Sequence, residues 1–320
     1  VANNIYYVDG VGGDDTNGGT DWGDAFATIG KALSVAGDYD LVLVADATYN
    51  ETDLDFGGKK IYLKGVDHNT AGAKPVIDCQ GKGRAFYFGS GETKDSVIDN
   101  LTIRNGKVSD THGGAIVCEN NSSPTLRNCV FESNEAADTN SSYQGEDGGA
   151  IWCDSSNPTI TNCTFSNNLG YQGGAIYCGY YSEPVITNCA FNGNRAYMLG
   201  GAIFCYSSSP RITNCTFSDN KTIEGGAVYC ASSSPTITNC TFSNNEACAG
   251  GAVCCCHSSS PTITNCTFTG NSANWYGGAI FCHDFSSPIL NNSILWENSS
   301  SGTGDEVNID DSSSSCTLNY

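Results

Sequence analysis

The stretch Gly225–Asn245, GGAVYCASSSPTITNCTFSNN, decides the fold, because near-copies of it fill most of the chain. The triplet GGA opens at Gly113, Gly148, Gly173, Gly200, Gly225, Gly250 and Gly277. Apart from one longer interval the triplets lie 25 to 27 residues apart, and a fixed period in that range marks stacked supersecondary units. Within a unit, Thr, Ile, Val, Phe and Tyr occur in short runs broken by Gly-Gly, Ser-Ser-Pro and Asn-Asn, which leaves no room for an ordinary helix. Each unit reads as one coil of about three short strands.

Two Asn columns mark corners of the coil. The first is Asn100, Asn128, Asn162, Asn188, Asn214, Asn239, Asn265 and Asn292; the second follows each large apolar residue by three, as in Phe131–Asn134 and Phe242–Asn245. Asn tolerates the left-handed backbone of a sharp bend, and identical side-chain amides can bond along a ladder. A bend at Asn239 resets the alternation, so Ile237, Cys240 and Phe242 point inward and Thr236, Thr238 and Thr241 outward. The expected architecture is all-β, a right-handed single-stranded parallel β-helix (a β-solenoid) with rungs about 4.8 Å apart and an N-terminal capping helix. Residues 1–83 form the cap and first irregular coils, 84–298 the regular repeats, and 299–320 a last, incomplete coil.

Repeated GGA[I/V] in fixed register with F-x-x-N, over about Gly83 to Asn298, resembles the repeat of the polymorphic outer-membrane proteins, β-helical surface adhesins within the pectate-lyase-like group. The resemblance implies display at the cell surface. This chain departs from that family in showing no series of alternating ten-residue strands after Asn298, hence no translocator barrel.

The formal charge is −20, and no Lys or Arg follows Lys221. That balance opposes nucleic acid and anionic membrane, and no run of 18 apolar residues could span a bilayer. Eighteen cysteines without zinc-ribbon pairs point to an oxidising setting, extracellular or at the cell surface after signal-peptide removal.

The opening segment holds Asp9, Asp14, Asp15, Asn17 and Asp21 on a glycine-rich loop. These are candidate Ca²⁺ ligands, or else a metal-free set of Asx turns. Phe26, Ile29, Leu33 and Ala36 then share one helical face, with Asp24 as N-cap, to cover the first rung. Leu41–Val44, Lys60–Val66 and Pro75–Cys79 read as the first strands. This layout resembles the N-terminal cap of secreted β-helix proteins, some polysaccharide lyases among them.

Cysteines fall into two columns, one after GGA and one after the corner Asn. Within-coil disulfides, bridges between rungs and a column of buried thiols all fit. Within-coil pairing is the favoured reading, as Cys118–Cys129, Cys153–Cys163, Cys178–Cys189, Cys205–Cys215, Cys230–Cys240 and Cys255–Cys266. Between Ile and Cys of each GGAIYC lies Val117, Trp152, Tyr177, Phe204, Tyr229, Cys254 or Phe281. Facing out, these aromatics form a surface stripe for sugar rings or protein; a phase slip of one would put them in the core. Cys254–His257 and Cys282–Asp284 lie on adjacent coils, where soft and imidazole ligands could converge, or where local disulfides and a surface histidine suffice. His68 and His112 stand alone.

No lyase base beside an Asp-bound Ca²⁺ and no glycosidase carboxylate pair stands out in the repeat. The one interruption, Asn134–Asp147, carries Glu135, Asp138, Glu146 and Asp147 but no base. Regularity favours a non-enzymatic structural or adhesive solenoid, with a polysaccharide lyase or glycosidase as the alternative. Expected partners are glycans, a host or cell-surface protein, and further copies of the chain. Because the last segment, Ser314–Tyr320, stops partway through a repeat, an open rung would invite head-to-tail assembly into filaments.

Overall fold

The computed structural model describes residues 2–136 and 147–319, which leaves Asp138 and Glu146 outside the described residues. Strands of successive coils pair in parallel and in register. They build one sheet of twelve strands and two of ten, with short edge sheets of four and three strands alongside. In the coil quoted above these are the Thr face (Thr236–Thr238), the Phe face (Thr241–Ser243) and the Cys face (Val228–Ala231). The parallel in-register coils form the right-handed β-helix that the repeat called for.

Register follows from the repeat itself. Ile212, Ile237 and Ile263 succeed one another up the Thr face, so a slip of one residue would expose every such Ile at once. Ile237, Cys240 and Phe242 are buried, and Thr236 and Thr241 are exposed. Six rings, Phe131 to Phe268, stack with centroids 4.6–4.8 Å apart, which matches the rung spacing of a β-sheet.

The eight Asn of the first corner all have left-handed φ, from 46° to 62°. Their amides bond between coils at 2.7–3.3 Å in exposed positions. At the second corner the bend and the ladder separate: Ser133, Asn167, Asp219 and Asn244 take the positive φ, and the next residue carries the ladder. There Asn134, Asn168, Asn194, Asn220, Asn245 and Asn271 are wholly buried. Each amide donates to the next coil's Asn at 2.8–3.0 Å. A third ladder escaped the sequence reading: buried Ser182, Ser208, Ser233, Ser259 and Ser286 each accept a backbone N–H from the Ser one coil below, at 3.0–3.2 Å. The buried Asn amides and Ser-turn N–H groups therefore find their partners along the stack.

The six within-coil disulfides do not form; all eighteen cysteines carry free thiols. In-register stacking puts each sulfur beside the like residue one rung away, as in Cys178, Cys205 and Cys230. Cys215 accepts the Cys189 N–H at 3.4 Å and donates to the Thr213 carbonyl at 3.3 Å. A hydrogen bond from the neighbouring thiol, then burial, pushes Cys153, Cys230 and Cys255 well above the ordinary thiol range. In the column after the corner Asn, hydrogen bonds from the neighbouring thiols Cys163 and Cys215 pull Cys189 down instead, so within the stack one sulfur accepts its neighbours' protons in hydrogen bonds while all of them pack as small, buried groups.

At the start, helix α1 spans Ile29–Val35 and is capped by Thr28, whose side chain accepts from the Lys31 N–H. It begins later than the Asp24 expectation. Phe26 is tied into strand-like bonding with Tyr7 and Asp9, so the backbone turns helical only beyond it. Asp24 instead ends a short 3-10 turn and accepts from Gly18 and Thr20. Phe26, Ile29, Leu33 and Ala36 are all buried.

Candidate functional site

The Thr face is monotonous in its later coils and charged in its early ones. In the outward column that later carries Thr161 and Thr187, the first coils place Lys64, Asp99 and Arg127 on consecutive rungs. Tyr62 stands in the adjacent outward column. Its hydroxyl donates to Asp99 Oδ2 at 2.6 Å, Arg127 Nε donates to the same oxygen at 3.1 Å, and Asn128 Nδ2 reaches Oδ1 at 2.6 Å. The Arg127 guanidinium also bonds the Tyr62 hydroxyl and lies 5.1 Å over its ring.

This wraps one carboxylate in donors. The Asp99 side chain is 6% exposed and that of Arg127 42%. Burial works against the charge of Asp99, but the Tyr62 and Asn128 hydrogen bonds and the Arg127 charge outweigh it and hold the carboxyl below its ordinary value. Burial first, then the bond to Asp99, pushes Tyr62 up, so its phenol stays neutral. A cleft of about 360 Å³ adjoins, lined by Tyr39, Lys60, Tyr62, Lys94 and Asp95. Lys60 Nζ sits 5.1 Å from the Tyr39 ring centre and 3.1 Å from its hydroxyl. Sugar faces suit such rings, and a substrate carboxylate suits Lys60 and Lys94, with Asp40 and Asp95 on the same lining.

Other candidates serve the fold. Burial pushes Glu51 up, and its carboxylate accepts from the N–H groups of Ile29 and Gly30 at the start of α1. The five loop residues do not converge. Asp14 bonds Thr16, Asp15 caps Ala27 and Thr28, Asp21 accepts from Gly23, Asp9 from Val11, and Asn17 donates to Ala25. His68 and His112 are not solitary: His68 stacks on Trp22 at 3.9 Å and His112 on Trp152 at 4.8 Å.

The aromatic column of the Cys face does point away from the core, yet it is no exposed stripe. Trp152, Tyr177, Phe204, Tyr229 and Phe281 are only 3–8% exposed. They form a second apolar cluster with Leu199 and Ala249 of the edge sheets packed against them. The chain folds back over that face at every coil, which a two-residue alternation could not reveal. A cleft of about 450 Å³ runs along its margin, where Tyr180 and Tyr206 stay exposed.

The sequence reading missed the grouping of Tyr62, Asp99 and Arg127. The available signal was that VID at Val97–Asp99 and TLR at Thr125–Arg127 replace the later T-I-T.

The family described as right handed beta helix region matches residues 51–195, 92–253, 140–295 and 204–319. No curated protein sequence matches the chain significantly. Among solved structures, the GH136 lacto-N-biosidase from Eubacterium ramulus is similar with a TM-score of 0.59 and 12% identity, covering 98% of this chain and 68% of that one. A rhamnogalacturonan lyase has a TM-score of 0.48 at 13% identity, over 98% of this chain and 86% of its own. A pectin methylesterase in complex with a hexasaccharide has 0.36 at 13%, over 92% and 81%. The match is to the broad β-helix family, with nothing specific to the polymorphic outer-membrane repeats. The expectation that the chain is no enzyme is overturned: an enzyme is built on this same fold, so regular coils do not mark a chain as non-catalytic.

Proposed function

We propose that this chain, which belongs to the right-handed beta-helix family, is a carbohydrate-active enzyme that binds an acidic glycan across the early coils of the Thr face and cleaves it by β-elimination. One observation carries the reading: Lys60 and Lys94 meet Tyr39 and Tyr62 at one cleft, beside Asp40 and Asp95, and Arg127 holds the Tyr62 hydroxyl from outside the cleft, on a protein whose overall charge is −20. A polymeric substrate of that kind also suits work outside the cell.

In the proposed reaction Arg127 and Lys60 pair with the uronate carboxylate, which lowers the cost of charge building on the adjacent carbon. Lys94 is the base placed to take the proton from that carbon; the electron pair forms the new C=C bond and the glycosidic C–O bond breaks. Tyr62, whose one proton is hydrogen-bonded to Asp99 in the free protein, turns that proton to the departing oxygen. Asp99 touches no substrate; it aims Tyr62 and Arg127. The likeness to solved enzymes supports a glycan-active scaffold and does not choose the substrate.

The test is incubation with a panel of uronic-acid and neutral polysaccharides, with and without Ca²⁺, following unsaturated and reducing-end products. Unsaturated product from an acidic glycan is expected, falling on the order of a hundredfold in Arg127→Ala with the β-signal of circular dichroism unchanged. Reducing ends without unsaturation would reassign the chain to hydrolysis. No turnover and no binding of any glycan would end the proposal.

A further inference from the structure

The aromatic column is broken twice, by Val117 between Tyr87 and Trp152 and by Cys254. Cys254 stands in register between Tyr229 and Phe281, and a thiol there leaves much of a ring's volume beneath the edge sheet. Two side chains from neighbouring coils enter that space. Glu224 comes from the edge, where it bridges Leu199 and Ala249; His283 lies just past the strand Ile280–Cys282. A carboxylate oxygen of Glu224, Cys254 Sγ and an imidazole nitrogen of His283 all lie within 4.8 Å of one another.

A second observation is independent of that convergence. His283 Nε2 is buried and meets no hydrogen-bond partner. The ring stacks on Phe281 at 5.0 Å, which fixes its plane but satisfies neither nitrogen. Cys254 is itself fully buried. A buried imidazole nitrogen without a partner, on a ring that meets a thiol and a carboxylate, is an arrangement the fold alone does not need.

We propose that Glu224, Cys254 and His283 form a binding site for one transition-metal dication of the zinc class, with a fourth position open to water or an outside ligand. Thiolate, imidazole and carboxylate together are the borderline-soft set that zinc accepts and Ca²⁺ or Mg²⁺ does not. Tetrahedral bonds of about 2.0–2.3 Å set ligand atoms about 3.3–3.8 Å apart, so modest side-chain rotation closes the observed spacing. On binding, the Cys254 thiol releases its proton to water and its sulfur bonds the metal. Ligands from successive coils would also tie those coils together. The site shares no residue with the glycan cleft, and neither proposal depends on the other.

The adjacent pair His257–Asp284, at 3.4 Å, and the Cys256–Tyr229 contact lie outside the ligand set, so they serve as controls. Reduced, metal-stripped protein is titrated with Co²⁺ and then Zn²⁺. One equivalent of Co²⁺ should give a thiolate charge-transfer band and tetrahedral d–d bands, both bleached by Zn²⁺, with a rise in melting temperature. Cys254→Ser, His283→Ala and the isosteric Glu224→Gln should each weaken binding on the order of tenfold or more, while His257→Ala should not. Circular dichroism checks each fold. Absence of stoichiometric cobalt in the parent protein, a band that survives in folded Cys254→Ser, or one lost in folded His257→Ala would overturn the site.

Discussion

Asn220 and Asn214 are six residues apart in one coil and differ in what they hold. Asn220 is buried; its amide bonds Asn245 and the Phe191 carbonyl, and its oxygen receives Asn194. Asn214 is an exposed corner with φ 54°. Asn220→Ala strands several buried partners and should cost about 3 kcal/mol; Asn214→Ala loses chiefly the residue's tolerance of the left-handed bend, about 1 kcal/mol. Equal urea midpoints for the two variants would refute that ranking. Asp99 offers a pH test. Its folded value lies below the ordinary 3.8, so the stability it contributes is complete above pH 3.8 and disappears as pH falls through the folded value. The melting-temperature gap between the parent protein and Asp99→Asn should therefore be full near neutrality and close on acidification; a gap that persists unchanged in acid would place the effect elsewhere.

Strands and columns were the most legible level, because a 25–27-residue period and a two-residue alternation translate directly into rungs and faces. Ile237, Cys240 and Phe242 could be assigned inward from eight residues of sequence. What lay beyond reach was any contact made between coils of unlike sequence. Tyr62 and Asp99 are 37 positions apart, and Asp99 and Arg127 are 28; they become neighbours only once the irregular early coils are threaded into register. The same limit misled the cysteine assignment: stacked thiols were among the readings weighed, but the short separation along the chain was given more weight than the register along the stack. With no disulfide in the structure, protein denatured without reductant should titrate as eighteen thiols. A count near six would restore within-coil bridges.

Charge is distributed unevenly along the rod. Most of the basic residues fall between Lys31 and Arg127, and none follows Lys221. Acidic residues in that segment nearly balance the basic ones, so an acidic polymer is repelled least there and more strongly by the rest of the stack, a difference that salt weakens. The uniform parallel register has a further consequence, which concerns how such a chain can change in length. Because every coil meets its neighbours through the same Ile, Phe, Asn and Ser positions, a coil behaves as a removable unit. Deleting residues 173–199 joins Gln172 to Gly200 and restores GGA, the Phe165–Phe217 stack and the Asn168–Asn220 ladder without new contacts. The shortened protein should fold cooperatively, with its scattering length reduced by about 4.8 Å; collapse of the β-signal in this variant would mean that the coils are not equivalent. Whole-turn insertion and deletion then becomes a route by which this architecture sets the distance between a site on its early coils and one on its late coils while leaving both chemically untouched.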